Sequence, residues 1–387
     1  MNIALVILHA EPARGGAETY TVDLARALVD RGYDVSMLSA TFAEALDARI
    51  VQIPLSYTGA TRLARYVSFL DSLDAHLAEI PYDIVHAMLP VRRCDLYHPH
   101  AGVAVEAVEA GHLKHASLLK QSATRLANRL NRKRQRFAEV ERTLLSLAAG
   151  HKPPVVLCLS DYIQNAVRKH HPLPADRFAT LMNAVDLTRF DPAAMQDGRR
   201  TTRECLNIQP DKVVALIVAQ DFARKGVREA VEACHRLNDP RLVLLVVGRD
   251  DFAPYAKLIA NSPHRQNFIA TGAARDVRPY YAAADFFVLP TRHDPCSLVV
   301  LEALAMGLPV ISTRFNGACE VMTQAKHGFV LDDPSDVIAL AGNMQKLLDD
   351  GTRQAMQQAC LELRPSLSYE RHLDKLCGVY ERVMQRR

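Results

Sequence analysis

The chain has 387 residues, 49% of them hydrophobic and 23% charged, with 17 glycines, 20 prolines and no tryptophan. This composition excludes collagen-like, coiled-coil and largely disordered chains, and at roughly 100 to 200 residues per domain the length suggests two globular domains. A net charge of +4 is too small by itself to point to nucleic acid, which is not expected as a partner.

The longest uncharged apolar runs, such as Ile3 to Leu8 and Leu242 to Val247, fall far short of the ~20 residues that cross a bilayer. No basic stretch precedes the first run, and Glu11 and Arg14 follow it too soon for a secretory signal. The eight cysteines are scattered without a CxxC pair, which fits a reducing compartment. The expectation is a cytoplasmic protein.

Ile3 to Leu8 predicts a parallel strand buried on both faces. A glycine-containing loop and an amphipathic helix over Ala17 to Arg31 follow, stopped by Gly32, then a strand over Val35 to Leu38. Leu63 to Leu77 predicts a helix, Asp83 to Met88 a strand, Val155 to Ser160 a strand and Asp161 to His170 a helix. A second alternation starts near Asp211. Its predicted strands are Val213 to Ala219, Leu242 to Val247, Phe268 to Thr271, Phe286 to Pro290 and Val310 to Thr313. Its predicted helices are Val227 to Leu237 and Ser297 to Met306, the latter stopped by Gly307 and Pro309. Strand and helix alternating twice predict an α/β chain of two Rossmann-like, doubly wound domains facing a central cleft, with ligands at the carboxyl ends of the strands. The domains are expected over residues 1–175 and 176–367, with a helix over 368–387 packing back on the first.

Several loops carry candidate chemistry. Gly15-Gly16 lets backbone approach a ligand closely at a helix start, although the loop is not a G-x-G-x-x-G fingerprint. In the stretch from Arg292 to Val310, Asp294 follows a strand, Ser297 is placed to cap the next helix, and Glu302 sits within that helix. The amides near Ser297 to Val299 form a potential anion site. Residues 112–147 predict a basic helix. From His112 to Arg142, nine basic residues face two acids, a local charge of +7. Arg125, Arg129, Arg132 and Arg136 form a stripe beside the apolar positions, with Lys133 adjoining, a pattern suited either to an anionic membrane surface or acceptor, or to simple packing with a solvated rim.

Asp294-x7-Glu302 followed by LEALAMGLPVI resembles the donor-site signature of the family 4 retaining glycosyltransferases. Gly15-Gly16-Ala17-Glu18, Met182-Asn-Ala-Val-Asp186, Phe222-Ala-Arg-Lys-Gly-Val227 and Asn316-Gly-Ala-Cys-Glu320 agree in the same order. Within that family the chain is most similar to lipopolysaccharide core glucosyltransferases. The resemblance implies the GT-B fold and transfer of a hexose from a nucleoside-diphosphate sugar, with UDP-hexose the expected partner, to a lipopolysaccharide-core or other cell-envelope glycan or lipid acceptor. It implies work at the inner face of the cell membrane. It also implies that Asp294 holds sugar hydroxyls and Glu302 the ribose, that Arg224 and Lys225 neutralise the diphosphate, and that Cys296, Ser297, Leu298 and Val299 help bind the donor. Gly15 and Gly16 would close on the diphosphate, and His100, favoured over His98, would contact the sugar. Asp294 stands where Glu is usual, and Gln220 where an arginine often assists. No D-x-D motif is present, so neither metal nor other cofactor is expected. A sugar-nucleotide epimerase or phosphorylase on the same fold, and a non-catalytic relative binding anionic lipid, stay open as alternatives.

Overall fold

A computed structural model describes residues 1–109, 131–148 and 150–386. Contacts divide the chain into two units, Met1–Asn183 with Tyr369–Arg387, and Ala184–Ser368. Each is built on a parallel sheet, as the twofold alternation predicts.

In the first unit, β1 (Asn2–Val6) leads through the short β2 (His9–Ala10) to α1 (Gly16–Asp30). Gly32, at φ +83°, lets the chain turn out of α1 into β3 (Asp34–Ser39), where a side chain would be strained. Then come β4 (Thr41–Phe42), β5 (Val51–Pro54), α2 (Arg62–Glu79), β6 (Ile84–Ala87), β7 (Leu96–Tyr97), α3 (Ala104–Glu109), α4 (Arg132–Leu144), β8 (Val155–Cys158), α5 (Asp161–His170) and β9 (Phe178–Thr180). The main sheet runs β5-β3-β1-β6-β7-β8-β9, with every pairing parallel. Its strands read as unbroken aliphatic runs because helices cover both faces. The first unit is completed by the last helix of the chain, Tyr369–Met384, whose buried face carries His372, Leu373, Leu376, Val379, Tyr380 and Val383.

The second unit contains α6 (Gln196–Cys205), β10 (Val213–Val218), the single turn α7 (Phe222–Lys225), α8 (Val227–Leu237), β11 (Leu242–Val247) and β12 (Phe268–Gly272). It continues with α9 (Arg278–Ala283), β13 (Phe286–Val288), α10 (Leu298–Ala305), β14 (Val310–Thr313), β15 (Gly328–Leu331), α11 (Val337–Leu347) and α12 (Asp350–Leu363). The parallel order β12-β11-β10-β13-β14-β15 reverses direction between β10 and β13. That reversal opens a crevice at the carboxyl ends of these two strands, where open α/β sheets bind ligands. Asp285, buried just before β13, ties the starts of the central strands β10 and β13 to α6 by accepting from Arg199 and Arg203 at 2.6 Å each and from the Val214 amide at 2.7 Å.

Candidate active site

The residues singled out in the second unit gather around its switch point. After β10, Asp221 caps α7, its Oδ1 accepting from the Arg224 amide at 3.2 Å. This turn delivers Arg224 and Lys225. Gly226 then takes φ +76°, and a Cβ there would lie 2.3 Å from the Pro290 carbonyl oxygen. The glycine therefore allows the Lys225 turn to press against the loop that leaves β13. That loop is tied down further. The Arg292 amide donates to the Arg224 carbonyl at 2.9 Å, and Arg224 Nη1 donates to the His293 carbonyl at 2.8 Å.

Lys225 and Asp294, 69 residues apart in sequence, meet here as an ion pair. Burial pulls the Lys225 ammonium below the ordinary lysine range, with Asp294 opposing the shift. Burial also resists ionisation of Asp294, yet the charges of Lys225 and Arg224 hold its carboxyl below the usual range. The geometry thus supports a fully ionised pair in which each partner compensates the other's desolvation. Arg292 makes a second buried pair, Nη2 donating to Glu229 at 2.5 Å.

The sequence-based expectation for Ser297 needs correction. It occupies the N-cap position of α10, but its side chain makes no capping bond. Its amide is not free either, since it donates to Asn316 Oδ1 at 3.2 Å. The same Oδ1 accepts from the Ala318 amide at 3.2 Å, while Asn316 Nδ2 donates to Ser312 Oγ at 3.1 Å. Asp294 is held by the same strap, its amide donating to the Phe315 carbonyl at 2.8 Å and its carbonyl accepting from the Gly317 amide at 3.0 Å. Asn316 is thus a positioning residue whose role the sequence did not reveal; its only signal was the Asn-Gly pair after a strand. Cys296 is buried, whereas Leu298, Val299 and Glu302 are half-buried. Glu302 Oε2 accepts from the hydroxyl of buried Tyr281, a partner that no sequence spacing announced.

In the first unit, Gly15 is extended at φ 169° and Gly16 opens α1. His86 and His98 are fully buried and His100 is 8% exposed. His86 Nδ1 pairs with the Tyr380 hydroxyl at 2.9 Å and its Nε2 with His98 Nδ1 at 3.2 Å. His372 Nδ1 donates to the Met182 carbonyl at 2.8 Å, which fixes its Nε2 as the acceptor from the Tyr20 hydroxyl, also at 2.8 Å. The Tyr20 ring lies 4.3 Å from the His100 ring. Burial lowers His86 and His100 to about 3 and His372 to about 4, and drives His98 well below the ordinary value, so all four imidazoles are neutral. His98 Nε2 and His100 Nε2 have no hydrogen-bond partner among the described residues.

Of the basic stripe, Arg125 and Arg129 lie outside the described residues. In α4, Arg136 pairs with Glu139 at 2.8 Å, and the Lys133 ammonium lies 5.2 Å from the Phe137 ring centroid. The apolar side of this segment packs inward. Phe137 stacks on Tyr66 at 4.1 Å, and Val140 and Leu144 are buried. Among the described residues no helix is long and apolar enough to cross a membrane.

Two reversing parallel sheets, with charged side chains collected at the strand ends of one and neutral imidazoles beneath those of the other, match enzymes of the GT-B type. The family model described as Glycosyltransferase Family 4 matches residues 14–189, that described as Glycosyl transferases group 1 matches residues 198–361, and the chain belongs to this family of glycosyltransferases. It is 25% identical over 355 residues to the lipopolysaccharide glucosyltransferase WaaG of Escherichia coli, covering 90% of this chain and 88% of that protein. A D-inositol 3-phosphate glycosyltransferase of Corynebacterium diphtheriae is 24% identical over 418 residues, covering 98% and 94% respectively. The crystal structure of WaaG superposes with a TM-score of 0.78 at 22% identity, covering 96% of this chain and 98% of that one. Anabaena Alr3699/HepE in complex with UDP and glucose gives 0.68 at 18% identity, covering 98% and 99%.

Proposed function

We propose that the protein transfers a hexose, glucose or a close relative, from a UDP-linked donor to a lipopolysaccharide-core or other cell-envelope glycan or lipid acceptor, with retention and without a metal. The observation that carries this reading is the Lys225–Asp294 pair at the switch point of the second sheet, with Glu302 on the helix that follows. A diphosphate arriving there meets Arg224 and Lys225, which offset the charge that grows on the leaving phosphate as the bond to the sugar breaks. Asp294, once Lys225 is shared with phosphate, is released to accept from sugar hydroxyls, and Glu302 accepts from the ribose. His100 and Gly15-Gly16 are assigned to the transferred sugar and the diphosphate. Bond making and breaking occur on one face of the sugar. The acceptor oxygen bonds to the anomeric carbon as the phosphate oxygen leaves, and that oxygen takes the acceptor's proton. The name of the WaaG relative supports the acceptor class, and the UDP and glucose in HepE support the donor. The absence of a D-x-D motif supports metal independence. The basic first turn of α4 supports work at the cytoplasmic face of the membrane.

A thermal-shift series with UDP, GDP and ADP and their glucose conjugates tests the reading. A ligand present at 100 times its Kd stabilises the folded state by about 2.7 kcal/mol. UDP compounds should raise the melting temperature of the wild type and not of Glu302→Ala. No shift from any nucleotide would overturn the proposal.

A further inference from the structure

A cavity of about 580 Å3 lies entirely within the first unit. It is bounded by the start of α2, by Met88–Pro90 after β6, by Pro99–Gly102 after β7 and by the first turns of α4. It therefore occupies the ligand-binding edge of a parallel sheet, and its size suits a small molecule. Arg62, Arg132, Lys133 and Arg134 line it, and no Asp or Glu does so among the described residues. Met88, Leu89 and Phe137 supply apolar surface.

Several other cations of the unit are paired with carboxylates. Arg92 is paired with Asp71 and Asp74, Arg49 with Asp30 and Asp47, and Arg136, on the same helix as Lys133, with Glu139. Arg62, Arg132 and Lys133 have no carboxylate partner among the described residues. Lys133 is partly buried, and both its burial and the nearby Arg62 charge disfavour the ammonium form. Arg62, Arg132 and Lys133, collected around a half-apolar cavity, repel one another, and a dianion entering the cavity relieves that repulsion. The cavity adjoins the capped starts of α2 and α4, where Thr61 and Asn131 accept from backbone amides, so the helix dipoles add in the same direction.

We propose that this cavity seats a phosphate group carried on the acceptor, with the cations holding the phosphate and Met88, Leu89 and Phe137 contacting the body to which it is attached. The proposal rests on the glycosyltransferase reading for the word acceptor; phosphate binding itself does not depend on it.

Calorimetric titration with inorganic phosphate, glucose 6-phosphate and dodecyl phosphate below its micellar concentration tests it, with glucose and dodecyl maltoside as neutral controls. One saturable site is expected for the phosphorylated probes and none for the controls. Tighter binding of dodecyl phosphate identifies a lipid-borne phosphate, and tighter binding of glucose 6-phosphate a sugar-borne one. Arg62→Ala with Lys133→Met should weaken binding by about tenfold or more, as expected on losing charge-assisted bonds, while Lys133→Arg retains it. UDP affinity, measured on the same samples, should be unchanged, and wild-type melting curves and circular dichroism report that the variants are folded. Equal binding of dodecyl maltoside, wild-type affinity in the double variant, or equal losses in Lys133→Arg and Lys133→Met would overturn the proposal. Failure of UDP to bind the wild type would overturn the donor reading and leave the phosphate result standing.

Discussion

The Tyr281 hydroxyl donates to Glu302 Oε2 at 2.8 Å and lies 3.2 Å from the Val299 carbonyl oxygen. Burial, reinforced by the Glu302 charge, drives the phenol pKa well above its ordinary value, so the hydroxyl keeps its proton and holds the carboxylate on α10 in one orientation. Tyr281→Phe keeps the shape of this buried site and removes only the bond. A bond to a charged group contributes about 1.5–3 kcal/mol, so affinity for the nucleotide should fall by roughly ten- to a hundredfold if Glu302 binds the ribose. Titration with UDP against a melting curve of the free protein separates this from loss of folding.

The Lys225–Asp294 pair predicts a non-additive cycle. Removing one partner of a buried pair costs roughly 3–5 kcal/mol, whereas replacing both with neutral groups of similar volume is often close to neutral. Asp294→Asn and Lys225→Met should each lower stability, and the double variant should be more stable than either. All three should lose transfer activity. Denaturant titrations of the four proteins provide the check, and additive losses would show that the two side chains do not compensate each other.

The neutral histidines make the first unit sensitive to acid. Their folded-state pKa values lie below the ordinary 6.5, so the folded protein binds fewer protons than the unfolded chain as pH falls through 6.5. Their contribution to stability is therefore present above about pH 6.5 and is lost progressively as pH falls toward the folded-state values of about 3 to 4. Each contributes a slope of up to about 1.4 kcal/mol per pH unit in that window. His86→Gln should flatten the dependence of the denaturation midpoint between pH 7 and pH 5.

Gly226→Ala places a Cβ at φ +76° and 2.3 Å from the Pro290 carbonyl oxygen. Both strain and clash apply, so a loss above about 2 kcal/mol is expected, together with displacement of Lys225 and lower transfer activity. Gly32→Ala, also at positive φ but with open space around the new Cβ, serves as the comparison and should cost about 1–2 kcal/mol while leaving activity intact.

The sheets were legible because each central strand is a run of aliphatic residues bounded by turns. Val213 to Val218 and Leu242 to Val247 need no partner to be recognised. The edge strand Val51–Pro54 and the polar helix Gln196–Cys205 were not anticipated, since exposed Val51 and the charged run of α6 carry little apolar periodicity. At the site, sequence placed Lys225, Asp294 and Glu302 after the right strands but could not pair them, because the pairing depends on strand order rather than spacing. It assigned capping to Ser297 by residue type, whereas the Asn316 strap takes the amide instead. It could not show what surrounds the histidines, because the Tyr20 ring of α1 reaches His100 and the Tyr380 hydroxyl of the last helix reaches His86 only through the tertiary fold.

The last helix bears on how the protein is made. His86 and Tyr20 find their partners on Tyr380 and His372, which leave the ribosome only after the whole of the second unit. The first unit, though synthesised first, carries an uncovered core face throughout translation of residues 184–368, and the second can close beforehand. Vectorial synthesis thus reverses the order of completion. A nascent chain stalled near residue 370 should protect the second unit from protease while the first remains cleavable, and release of the remaining residues should protect both.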